Sequence, residues 1–145
     1  MLRAKDVMTR PVISTNAHAT VDECISIMLR HHVSGLPVVD DQGQLVGVIT
    51  EADLLQLLSD PTTTKEMLVG RFMSESVFSV DAEAKLPDVA QQLLARPYRR
   101  LPVVRDGQLV GIVARRDVLR SIWKTRIQAS YEIEQARRNS EQSSE

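Results

Sequence analysis

Gln44-Leu45-Val46-Gly47-Val48-Ile49-Thr50-Glu51-Ala52-Asp53 returns 64 residues later as Gln108-Leu109-Val110-Gly111-Ile112-Val113-Ala114-Arg115-Arg116-Asp117. Upstream of it, Leu36-Pro37-Val38-Val39 lies over Leu101-Pro102-Val103-Val104, and Val7-Met8-Thr9 over Phe72-Met73-Ser74, both at an offset of 65. The single lost residue falls where Asp40-Asp41-Gln42-Gly43 faces Arg105-Asp106-Gly107. A tight Asp-Gly turn tolerates such a change, so the indel supports the register on both sides. Self-similarity of this kind marks an internal repeat. In 145 residues, two half-size units must share their stability by leaning on each other.

Each unit reads as strand, helix, strand, strand, helix. Val21, Cys24, Ile25, Met28 and Leu29 fall at helical spacing, as do Leu86, Val89, Ala90, Leu93 and Leu94. Thr20 with Glu23 forms a capping-box pattern, and Pro87 sits near the second helix start, where a missing N–H costs little. Leu36 to Val39 and Leu45 to Ile49 are short β-branched runs about a turn, as are Leu101 to Val104 and Leu109 to Val113. Second helices are predicted over about Ala52 to Leu58 and about Arg116 to Trp123. The expected organisation is a first repeat over 1–60, a linker over 61–70, a second repeat over 71–123 and a C-terminal extension over 124–145. Ile122, Trp123, Ile127, Tyr131 and Ile133 give that extension a sparse helical stripe. Its polar end from Arg137 is expected to be disordered.

Composition excludes several classes. A formal net charge of -1 supplies no basic field for general nucleic-acid binding. Cys24 is the only cysteine, which rules out an internal disulfide and a cysteine-built zinc site and points to a reducing cytoplasm. Met1 to Asp6 has no apolar core, and no stretch approaches the roughly 18 apolar residues of a membrane span, so neither secretion nor membrane insertion is expected. Cys24 lies on the apolar stripe of its helix and reads as an inert core residue. His31 and His32 end a helix and favour its dipole; no metal site is expected. No nucleophile–base–acid set and no glycine-rich phosphate loop is present, so no catalytic residues are assigned and no enzyme is expected.

Glycine, an apolar residue, any residue, Thr or Ser, two residues, then Asp, at the end of the last strand, is the pattern of CBS repeats. Gly47 to Asp53 satisfies it, and Gly111 to Asp117 satisfies it except at Ala114, where the hydroxyl is missing. From about Ala4 to Trp123 the chain therefore resembles a CBS pair. The resemblance implies an α/β (α+β) fold of two pseudo-symmetric β-α-β-β-α repeats packed through their sheets, with two clefts between them, the C-terminal helical extension added, and often a dimer of pairs. It also implies an adenosine ligand, AMP, ADP or ATP, with S-adenosylmethionine and NAD sharing the same sugar and base. No cofactor is required.

A carboxylate can accept a hydrogen bond from each of a ribose's two vicinal hydroxyls, and a helix N-terminus favours the phosphates. Carried over from the family, a first site combines Thr50 and Asp53 with Ser74, Val77, Tyr98, Arg99 and Arg100. The basic pair before Leu101-Pro102 resembles one that meets nucleotide phosphates in the regulatory gamma subunit of AMP-activated protein kinase. A second site combines Asp117 with Thr9, Val12, Val33, Ser34 and Gly35, with Arg115 and Arg116 as phosphate contacts. It lacks the hydroxyl and the basic pair, so the first site is expected to dominate. Thr50 and Asp53 equally suit a plain helix cap. The arginines of the second repeat equally suit a solvated face or an RNA-contacting patch. The function expected is nucleotide sensing by a cytoplasmic homodimer that signals to a separate regulated protein; the alternative is a ligand-free dimerisation scaffold.

Overall fold

The structure, a computed structural model, describes residues 1–143. In chain order the elements are α1 (Ala4–Val7), β1 (Thr15–Asn16), α2 (Val21–His31), β2 (Gly35–Val39), β3 (Leu45–Thr50), α3 (Glu51–Leu58), a 3-10 turn (Val69–Arg71), β4 (Val80–Asp81), α4 (Leu86–Ala95), β5 (Arg100–Arg105), β6 (Gln108–Ala114) and α5 (Arg115–Ser143). They form two sheets of identical topology, β1-β2-β3 and β4-β5-β6, in which the first pair is parallel and the second antiparallel. Even the irregularity repeats: the register shifts between Val38 and Val39 in one hairpin and between Val103 and Val104 in the other. The repeat read from the sequence is thus a repeat in space.

Local signals set the helix limits. Thr20 Oγ1 accepts the Glu23 N–H at 3.1 Å, but no return bond from Glu23 completes the expected box among the described residues. α2 stops where His32 turns left-handed (φ 54°) and both its N–H and that of Val33 donate to the Met28 carbonyl. Pro87 lies in the first turn of α4, as expected. The polar end of α5, expected to be disordered from Arg137, is helical through Ser143, while the last two residues of that expected tail lie outside the described residues. Side-chain pairs one turn apart account for this: Glu134 meets Arg137 at 3.0 Å and Arg138 at 3.3 Å, and Gln128 donates to Glu132 at 3.0 Å.

The two cores exchange segments. Ala4, fully buried, together with Val7 and Met8, packs into the core built by β4–β6, α4 and α5. Val69, also fully buried and placed by sequence in the linker, packs with Phe72 and Met73 into the core of β1–β3, α2 and α3. Backbone pairs seal each exchange. Thr9 and Ile112 exchange bonds of 2.8 and 3.1 Å, and Val48 and Ser74 exchange two of 2.9 Å. Met8 and Met73 lie where a Cβ on Gly111 and Gly47 would stand, which is why each last strand carries a glycine there. Lys5 (2.8 Å), Arg3 and Arg105 surround Glu83, and the Lys5 hydrogen bond holds its carboxyl below the ordinary range. At the far end of the strands, the hairpin turns join: Leu45 N–H donates to the Gly107 carbonyl at 3.0 Å and Leu109 N–H to the Gly43 carbonyl at 3.1 Å.

Two predictions follow from this packing. A Cβ on Gly70 would stand 2.8 Å from the Ala17 carbonyl oxygen and 2.9 Å from its Cβ, whereas one on Gly35 would meet nothing closer than 3.6 Å. Gly70→Ala should therefore cost about 1–3 kcal/mol in urea unfolding, with Gly35→Ala close to neutral. Cys24 is fully buried, and desolvation pushes its thiol from 9.0 to about 11. Below pH 9 the thiol is protonated in both states and adds no pH dependence. Between pH 9 and 11 only the unfolded chain ionises, so stability falls as pH rises. Cys24→Ala should flatten that part of the stability–pH profile, and an unchanged slope would contradict the assignment.

Candidate ligand-binding cleft

Opposite the joined hairpin turns, the two halves part to leave a continuous cleft of about 980 Å3. That is room enough for a nucleotide-sized ligand. Its walls come from the ends of the strands and the loops feeding them. The first half contributes Val33, Ser34, Gly35 and Thr50; the second contributes Val77, Tyr98, Arg99, Arg100 and Asp117; the exchanged N-terminal segment adds Thr9 and Val12. Residues assigned by sequence to two separate sites thus line one space. Asp53, Ser74, Arg115 and Arg116 are not among its lining.

Each of these four has a local reason for its place. Asp53 Oδ2 accepts the Thr50 N–H at 2.9 Å while Thr50 Oγ1 accepts the Asp53 N–H at 3.2 Å, a complete capping box on α3. The plain cap is therefore realised, although Thr50 still lines the cleft with its O–H free to donate. Ser74 spends both backbone groups on Val48. The Arg115 guanidinium donates to the carbonyls of Leu93 (2.8 Å) and Arg96 (3.0 Å), closing off the end of α4. Its backbone N–H donates to the Arg99 carbonyl at 2.9 Å. Arg115 thereby fixes the loop that presents Tyr98, Arg99 and Arg100. Arg116 faces a shallow surface groove with Leu119, Arg120 and Trp123.

Asp117 stands at the position in α5 that Asp53 holds in α3, but makes no capping box. Ala114 precedes α5 where Thr50 precedes α3, and with no hydroxyl there the capping box cannot form. The Asp117 carboxylate lies in the cleft, and among the described residues its one polar contact is to Arg120 at 3.4 Å. The cleft also holds Arg99 and Arg100, neither of which has an ion-pair partner among the described residues, and one further carboxylate, Glu51.

Sequence reasoning missed an aromatic wall. Phe78 lines the cleft beside Tyr98, the ring centroids 5.9 Å apart, and the Arg96 guanidinium lies 3.2 Å over the Phe78 ring. That cation–π contact partners Arg96, whose buried Nε has no hydrogen bond among the described residues. The signal was present in the repeat, since Phe78 is the counterpart of Ile13, which also lines the cleft. Among the described residues no group of His, Cys, Asp or Glu is placed to hold a metal ion, and no helix is long and apolar enough to cross a membrane.

Comparison with known proteins agrees with this architecture. The CBS domain family matches the chain twice, over residues 4–60 and 69–124. The CBS domain-containing protein YhcV of Bacillus subtilis is 34% identical over 118 residues, covering 81% of this chain and 84% of its own. Three other curated relatives are longer, and the chain spans 41%, 34% and 55% of their length. Among solved structures, CBSX2 of Arabidopsis thaliana in complex with AMP superposes with a TM-score of 0.75 at 34% identity, covering 87% of this chain and 99% of that one. The CBS domain pair of MJ0100, solved with 5-methylthioadenosine and S-adenosyl-L-methionine, gives 0.71 at 26% identity, covering 86% and 98%. Two copies of one motif, a shared fold and matched coverage make the same statement: the chain belongs to the CBS domain family and carries its repeat in tandem.

Proposed function

We propose that the protein is a non-enzymatic sensor that binds an adenosine nucleotide, AMP, ADP or ATP, in the cleft between its repeats and passes the signal to a separate partner protein. The observation that carries this reading is the pairing, within one cleft, of a carboxylate spared from capping (Asp117) with two cations spared from ion pairs (Arg99 and Arg100). A ribose needs the first and phosphates need the second. The AMP complex of CBSX2 and the adenosine-compound complex of MJ0100 support the ligand class.

The residues divide by chemistry. Asp117 accepts from the ribose hydroxyls; Thr50 and the Arg99–Arg100 pair meet the phosphates; Tyr98 and Phe78 flank the base with Val12, Val33 and Val77. In this reading the ranking expected from sequence is reversed, because Asp53 is committed to the cap of α3 and Asp117 is committed to nothing comparable. Signalling requires the ligand to favour one angle between the halves over another. The joined hairpin turns at one end and the open cleft at the other supply a pivot and a lever. The protein acts as a homodimer in the cytoplasm, where its lone Cys24 stays reduced.

Titration calorimetry with AMP and ATP tests the assignment. A charged hydrogen bond is worth about 1.5–3 kcal/mol, so Asp117→Ala should weaken binding on the order of 10- to 150-fold. Asp53→Ala should weaken it less while costing about 1 kcal/mol of folding stability through the lost cap. Equal or greater loss at Asp53 would reverse the roles. Arg99→Ala with Arg100→Ala should reduce ATP affinity more than adenosine affinity. Should no adenosine compound raise the melting temperature, the protein is a ligand-free scaffold.

A further inference from the structure

α5 is longer than its own half needs. It packs on α1, α4 and β6 through Val118 and Ile122, and every residue from Trp123 to Ile133 is exposed. Its 29 residues span about 43 Å, and the family match stops at residue 124. On the face turned away from the core lie Leu119 (70% exposed), Trp123 (61%), Ile127 (50%) and Tyr131 (60%), spaced four residues apart. Such an overhang is marginal as an isolated helix in water unless something covers its apolar side.

We infer that this face is covered by α5 of a second copy, running antiparallel. This rests on the homodimer reading above and specifies its surface and sense. The stripe is self-complementary. About a twofold axis beside Thr125, residues whose numbers sum to 250 face each other, which sets Leu119 against the partner copy's Tyr131 position and Trp123 against its Ile127 position. Further out, the same rule sets Arg116 against the Glu134 position, and between those two pairs it sets Arg120 against the Ser130 position. At 100° per residue Arg116 and Glu134 fall on the centre line of the stripe, at its two ends. Charge follows the same rule. Residues 115–126 carry Arg115, Arg116, Arg120, Lys124 and Arg126 against one acid, Asp117, whereas residues 127–134 carry Glu132 and Glu134 and no cation. A parallel pair would set like charge against like; the antiparallel pair sets basic against acidic. The shallow groove of Arg116, Leu119, Arg120 and Trp123 is then the seat for the partner copy's Tyr131 side.

Two single-cysteine variants, Arg120→Cys and Ser130→Cys, test the pairing, since both positions are exposed and the native Cys24 is buried. Light scattering should give twice 16.2 kDa for the native chain and for both variants. Under mild oxidation, a mixture of the two variants should form disulfide-linked dimers, while each alone should not, because 120 and 130 lie about 15 Å apart along a helix. Crosslinking of either variant alone overturns the antiparallel sense. A dimeric mass with no crosslink in the mixture overturns this surface and leaves the homodimer standing. A monomeric mass overturns both.

Discussion

Two pairs of backbone hydrogen bonds hold the molecule in the arrangement on which all else depends: Thr9 with Ile112, and Ser74 with Val48. Each pair stitches the segment leading into one repeat onto the last strand of the other. Neither half can complete its core without Ala4 or Val69 supplied from outside its own β-α-β-β-α unit. This is how two units of about 60 residues escape the marginal stability that so small a core implies. With the joined hairpin turns, it ties the halves together at one end of the strands and along their last strands, and the gap at the other end is the cleft.

Within this frame the repeat behaves as a symmetric device altered at one point. The bulge, the glycine over a methionine and the hairpin turns recur in both halves. The exchange of Thr50 for Ala114 does not. Where the hydroxyl is present, the following acid closes a capping box and becomes part of the helix end. Where it is absent, no capping box forms, and the acid lines the cleft with a 3.4 Å contact to Arg120.

Most of the architecture was legible because its signals are local and duplicated: helical spacing around Cys24 and Val89, the Asp-Gly turns, the two Gly-to-Asp motifs. What escaped depends on long-range geometry. Val69 looks like linker because nothing near it in sequence announces that it fills the opposite core. Arg115 looks like a phosphate ligand until the carbonyls of Leu93 and Arg96 are found around its guanidinium. The order of α5 beyond Arg137 was hidden by polar composition, which weighs burial and overlooks pairs such as Glu134 with Arg138. Residues from both candidate sets line the cleft, yet their meeting in one space could not be read from a linear repeat.

The account turns on the carboxylate of Asp117 at the start of α5, which lines the cleft beyond its one contact to Arg120 and which we propose holds a ligand's sugar. A crystal structure of the protein grown with AMP addresses this directly. The ribose hydroxyls should lie within hydrogen-bond distance of the Asp117 oxygens with the phosphate towards Arg99 and Arg100. A nucleotide bound elsewhere, or bound in the cleft with Asp117 turned away from its sugar, would contradict it.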